Sequence, residues 1–176
     1  TNDFHSAFDP IPGYWLPGSP RLGGAAHLAT LVERQRAAAP TSFLVDSGDM
    51  FTGTVSLLTQ GEALLEMMIA MGYDAMGVGN HEFDYGWRSF EEQMPRAPFP
   101  ILCANVRYRS SSPEGGGRPI RFCQPFTIVE RNGVRLGIVA GDPGVRPSLH
   151  QFVAYAAPWE PIPDDGLPRY DERRPS

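Results

Sequence analysis

Ala75-Met76-Gly77-Val78-Gly79-Asn80-His81-Glu82 runs from a short apolar segment straight into a polar cluster, and that junction decides the fold. Four small or apolar residues in a row suit a strand buried on both faces, as in a parallel sheet covered by helices. The run stops at Gly79, and every residue after it can bind or move a proton or a cation.

The same junction occurs upstream. Ser42-Phe43-Leu44-Val45-Asp46 follows Pro40 and ends in Ser47-Gly48-Asp49. Thr1 to Ala7 reads as the end of a strand entering a loop, with Asp3 and His5 flanking Phe4 at the strand period of two. Helical patterns separate these strands. Gly24 to Ala39 carries Leu28, Leu31 and Val32 at helical spacing and is closed by Pro40. Gly61 to Met71 carries Leu64, Leu65, Met68 and Ile69 on one side, with Gly72 placed to end it. A shorter helix is expected over Trp87 to Gln93 and a fourth strand over Pro100 to Val106. Phe126 to Glu130 and Val134 to Ala140 flank Arg131-Asn132-Gly133, and Asn-Gly between apolar runs predicts a hairpin. The fold class is therefore α/β, a β-α-β-α-β order with an appended hairpin. Asp9 to Leu22 and Ser110 to Gly117 read as loops, and from Asp142 to Ser176 seven prolines and no sustained period predict an irregular tail. Residues 1–141 form the domain and 142–176 the tail.

In an open α/β sheet, ligands bind at the carboxyl ends of the strands, so the three polar clusters are expected to converge. Asp3 and His5 can chelate one cation through an oxygen and a nitrogen. Asp49, leaving a Gly48 turn, can share its oxygens between two cations, and Asn80 offers a neutral carbonyl oxygen to the second. This mixed set suits Mn, Fe or Zn, giving two divalent ions of open identity. His81 need not be a ligand. With Asp84 three residues on to orient it, it reads as a general acid. The bland reading of Asn80-His81-Glu82 is a helix cap, an exposed histidine and a first-turn acid. His27 reads as a surface or packing residue, His150 as a solvated residue of the tail, and Phe83, Tyr85, Trp87 and Trp15 as packing or a base-binding wall.

The chain has a formal charge of -5, which excludes broad electrostatic binding to a nucleic-acid polymer and leaves local cations to attract an anionic substrate. No apolar run approaches the roughly 18 residues needed to span a bilayer. Cys103 and Cys123 make no disulfide framework and no zinc pattern; one bridge or two separate thiols are both open.

These blocks resemble the 5'-nucleotidase and UDP-sugar hydrolase branch of the calcineurin-like metallophosphoesterases. Thr1-Asn2-Asp3-Phe4-His5, Gly23-Gly24-Ala25-Ala26-His27, Asp46-Ser47-Gly48-Asp49 and Gly79-Asn80-His81-Glu82-Phe83-Asp84-Tyr85-Gly86 carry the likeness, which extends to about Gly141. The resemblance implies a four-layer α/β/β/α sandwich, incomplete here at the C-terminal side, and hydrolysis of nucleotide phosphate esters. It implies Asp3 and His5 on one metal, Asp49 bridging, Asn80 on the second, and the pair His81 and Asp84 in catalysis. It also implies a periplasmic or extracellular location. The branch completes its site with a downstream Gly-His-x-His block and a C-terminal domain, and neither is found in this sequence. The expectation is half of an enzyme site needing a further half or domain; the alternative is a catalytically inactive or binding fragment.

Overall fold

The computed structural model describes residues 1–109, 116–140, 150–151, 164 and 166–172. Two compact units divide after Gly141. In the second, His150–Gln151 (β9) and Arg169–Tyr170 (β10) make a short parallel pair where the sequence predicts an irregular tail.

The first unit is built on a four-stranded parallel sheet. Its strands are Val45–Asp46 (β3), Ala75–Gly77 (β4), Ile101–Leu102 (β5) and Cys123–Gln124 (β6), side by side in chain order. Val45 pairs with Ala75, Met76 with Ile101, and Ile101 with Cys123. Strands this short are held by burial, since Ala75, Met76, Ile101 and Leu102 are all buried. β6 was not expected from the sequence.

Helices cross between the strands. Ala25–Ala38 (α1) precedes β3, Glu62–Met71 (α3) leads to β4, and Trp87–Gln93 (α4) leads towards β5. Helix α3 is the structural centre, burying Leu64, Leu65, Met67, Met68 and Met71. Gly72 ends it in the left-handed conformation, φ 66°, donating its N–H to the Ile69 carbonyl. Phe51, Phe90, Met50 and Met76 pack with it, and complete burial of side chains this size contributes about 1.5–3 kcal/mol each. By contrast α1 has no fully buried residue, and Leu31 is exposed. A further helix, Thr54–Thr59 (α2), lies where no helix was expected.

The hairpin pairs Phe126–Arg131 (β7) with Val134–Val139 (β8) through a two-residue turn. Asn132 and Gly133 both have positive φ, 49° and 78°, as a turn matched to the strand twist requires. Its turn end is tied to the rest of the unit by Arg131, which pairs with Asp74, and by the Asn132 amide, which donates to the Pro40 carbonyl at 2.8 Å. Within the expected loop, Ile11–Pro12 (β1) and Arg21–Leu22 (β2) form a small antiparallel pair. No helix among the described residues is long and apolar enough to cross a membrane.

One expectation is overturned. Asp3 and His5 do not stand on a strand with a period of two. Both are in the left-handed region, with φ 52° and 49°, and Ser6 follows at 57°. The segment still lies along the β3 exit, where the Ser47 N–H donates to the Thr1 carbonyl and the Asp3 N–H to the Gly48 carbonyl, each at 3.1 Å. Its side chains are presented by a turn, a geometry that periodicity cannot reveal.

Candidate metal centre

β3 and β4 end side by side, so Gly48-Asp49 and Gly79-Asn80 leave the sheet together. They approach backbone to backbone. A Cβ on Gly48 would land on the Gly79 nitrogen, and one on Gly79 would land on Asp49 Oδ1. Gly48 has φ 106° and Asp49 φ 59°, a reversal that brings the Asp49 carboxylate back across the sheet edge. Asp49 Oδ1 then accepts the His81 N–H at 3.0 Å. On the third side, Gly53 sits tightly under the His5 carbonyl, and the Ser6 hydroxyl accepts the Ser56 N–H at 3.1 Å.

These contacts converge on one cluster. Donor atoms of His5, Asp49 and His81 lie within 4.8 Å of one another. The His5 and His81 rings meet edge to face with centroids 5.0 Å apart. Asp3 joins at the rim, its Oδ1 3.5 Å from His5 Nε2, with half of its side chain exposed. The His5 imidazole and the Asp49 carboxylate, open to solvent on one side, suit a divalent cation of intermediate softness, with His81 beside them.

His81 Nδ1 is 2.8 Å from Asp84 Oδ2, which leaves Nε2 as the nitrogen available to the cluster. The hydrogen bond to Asp84 raises the His81 pKa above the ordinary imidazole value, and Asp49 and Glu82 add to the rise. The same bond lowers Asp84 below the ordinary carboxyl value. Asn80 is exposed, and its backbone carbonyl accepts the Phe83 N–H at 3.2 Å. The tight turn His81–Phe83 that follows brings Asp84 back beneath the imidazole.

Two acids beneath the site were not singled out from sequence. Asp46 is buried, accepting the Gly48 N–H at 2.7 Å and the Thr1 hydroxyl at 2.6 Å, and burial pushes its carboxyl up. Glu82 is 1% exposed and accepts backbone N–H groups from both ligand loops. The first-turn role open to Glu82 in the sequence places it on the surface; the structure puts it in the interior.

Of the other residues singled out, Trp15 is largely exposed. Phe83 packs edge to face on Phe90, and Trp87 on Tyr108. His27 is exposed with Nδ1 2.7 Å from the Gly23 carbonyl oxygen. The side chain of His150 lies outside the described residues. Cys103 and Cys123 are two free thiols, and burial pushes Cys123 up to about 12.

No family model matches the chain. A curated relative, the 5'-nucleotidase of Rattus norvegicus, is 34% identical over 145 residues, covering 79% of this chain and 24% of that protein. Among solved structures, a 5'-nucleotidase precursor from Thermus thermophilus superposes with TM-score 0.68 at 33% identity, over 80% of this chain and 27% of that one. The chain belongs to the 5'-nucleotidase family. A calcineurin-like phosphoesterase from Bacillus subtilis superposes with TM-score 0.57 at 26% identity, over 79% of this chain and 46% of that one. The 5'-nucleotidase relationship thus extends to the calcineurin-like fold, with its mixed α/β architecture and parallel sheet. The chain spans about a quarter of the length of the curated 5'-nucleotidases it matches.

Proposed function

We propose that this chain carries the metal-binding part of a phosphate-ester hydrolase acting on nucleotides, with Asp3, His5, Asp49 and Asn80 holding two divalent cations. The observation that carries this reading is the convergence of His5, Asp49 and His81, from three chain segments, to within 4.8 Å. The donor set agrees with it, because imidazole and carboxylate together suit Mn, Zn or Fe. Asn80 immediately precedes His81, whose N–H is bonded to Asp49, so the backbone of Asn80 lies at the same edge. Bound divalent ions supply Lewis acidity towards a phosphoryl oxygen and a hydroxide near neutral pH.

The chain's own contribution to proton transfer lies in His81. Its Nδ1 proton is held by Asp84, which fixes the tautomer and favours the imidazolium. An Nε2–H so prepared faces the site and can protonate the departing alkoxide. The cations also reconcile an acidic chain with an anionic substrate, since they provide the local positive charge. The nucleotide substrate is supported by the 5'-nucleotidase relatives.

Metal titration of the purified chain, followed by phosphate release from AMP, tests the proposal. Saturable Mn binding is expected, with any turnover abolished in His81→Ala while the metal stays bound. A chain that takes up no metal at saturating Mn overturns it.

A further inference from the structure

Glu82 lies one residue beyond His81, yet its side chain turns away from the cluster into the protein. Oε2 accepts the Gly79 N–H at 2.6 Å and the Asp49 N–H at 3.0 Å. Oε1 accepts the Met50 N–H at 2.8 Å and the Phe51 N–H at 3.3 Å. The four donors belong to the two segments that leave β3 and β4. Met50 and Phe51 are 0% and 1% exposed, so no water replaces the two Oε1 bonds.

A buried carboxylate is costly unless several donors meet it, and four backbone donors meet this one. The bonds close a ring. Glu82 holds the Asp49 N–H, and Asp49 Oδ1 holds the His81 N–H, one residue before Glu82. We propose that Glu82 is a positioning residue for the metal centre, a clamp that fixes the distance between the Asp49 loop and the Gly79-Asn80 loop and so aims Asp49 at His5 and His81. It touches neither substrate nor metal; it acts through the backbone of the residues that do. The proposal rests on the metal-centre reading above.

An amide cannot do the same work. Gln has one acceptor oxygen and a two-proton nitrogen, so in Glu82→Gln one pair of N–H groups faces a donor. Either the Asp49 and Gly79 amides or the Met50 and Phe51 amides must move away. Loss of an orienting group around metal ligands weakens metal affinity by about 10- to 100-fold.

The experiment measures Mn²⁺ affinity from the free-Mn²⁺ EPR signal, and unfolding by circular dichroism, on the full chain, Glu82→Gln and Met68→Ala. Met68 is fully buried in α3, in the same core as Met50 and Phe51 but with no hydrogen bond to either loop, so its truncation destabilises the core without removing a bond of the clamp. Glu82→Gln is expected to lose about 10- to 100-fold in Mn²⁺ affinity, while Met68→Ala, of comparable or greater instability, binds as the wild type does. Should Glu82→Gln fail to fold, Glu82→Asp, one methylene too short to reach both loops, carries the same expectation. Wild-type affinity in the folded Glu82 variant, or equal weakening in Met68→Ala, overturns the clamp while leaving the metal centre intact. Failure of the wild-type chain itself to bind Mn²⁺ overturns the metal centre and the clamp with it.

Discussion

Replacing Asp74 with Ala should loosen the hairpin from the rest of the first unit and destabilise the chain by about 3–4 kcal/mol. The Asp74 side chain is 12% exposed and serves three partners at once. Oδ1 pairs with Arg131 at the turn end of the β7–β8 hairpin, while Oδ2 accepts the Leu44 N–H at 2.7 Å and lies 3.9 Å from Arg36. Hydrogen bonds to a charged group contribute about 1.5–3 kcal/mol, and an orphaned buried N–H costs about 1–3 kcal/mol. Arg36 keeps its bonds to the Met71 and Gly72 carbonyls, so its loss is small and is not added. The Arg131 pair, partly exposed, takes the lower end of its range, and the Leu44 N–H takes the middle of its own, which gives the figure above. At this chain length about 2–4 °C is lost per kcal/mol, so the melting temperature should fall by about 10 °C. Urea unfolding gives the free energy, and amide exchange locates it. Exchange of Ile128, Val129 and Leu136 should accelerate more than that of Met68 or Ile69 in α3. A loss under about 1 kcal/mol with hairpin exchange unchanged would refute the reasoning.

In the metal-free chain, His81 should titrate above the ordinary imidazole value of about 6.5 and Asp84 below the carboxyl value of about 3.8. By linkage, the His81 contribution to stability is complete below pH 6.5 and is lost as pH rises through the raised value; the Asp84 contribution is present above 3.8 and lost as pH falls through the lowered one. NMR titration checks both, and Asp84→Asn should return His81 towards its ordinary value; a His81 titration unchanged by that substitution contradicts the pairing. Gly79→Ala should cost about 1–3 kcal/mol by overpacking and weaken Mn²⁺ binding, because its methyl group meets Asp49 Oδ1; unimpaired binding measured by EPR counts against the close approach of the loops. Both thiols should resist an aromatic disulfide reagent at pH 8 until the chain unfolds, Cys103 because it is buried and Cys123 because it is held protonated; rapid labelling of the native chain would contradict that.

The sequence by itself determined strands β3, β4 and β5, helices α1, α3 and α4, and the polar clusters that meet at the sheet edge. Buried parallel strands are short continuous apolar runs, so 75–78 and 42–46 stand out, and a polar residue just past such a run has few places to go but the sheet edge. Helix α3 was legible because its apolar residues repeat at helical spacing up to a glycine, and the hairpin because Asn132-Gly133 accepts positive φ at both positions. Helix α2 was not, since Thr54 to Thr59 leaves Leu57 and Leu58 in solvent and has no buried stripe to read. What only the tertiary structure decided was how those clusters are held. Asp3 and His5 reach the site from left-handed turns, which depend on contacts with the 47–53 segment more than forty residues away. Glu82 looks like a surface acid because an interior one needs donors, and its donors are backbone amides that carry no side-chain signature. Side-chain identity names the atoms able to bind a cation; the spacing between them is set by backbone amides brought together across the sheet.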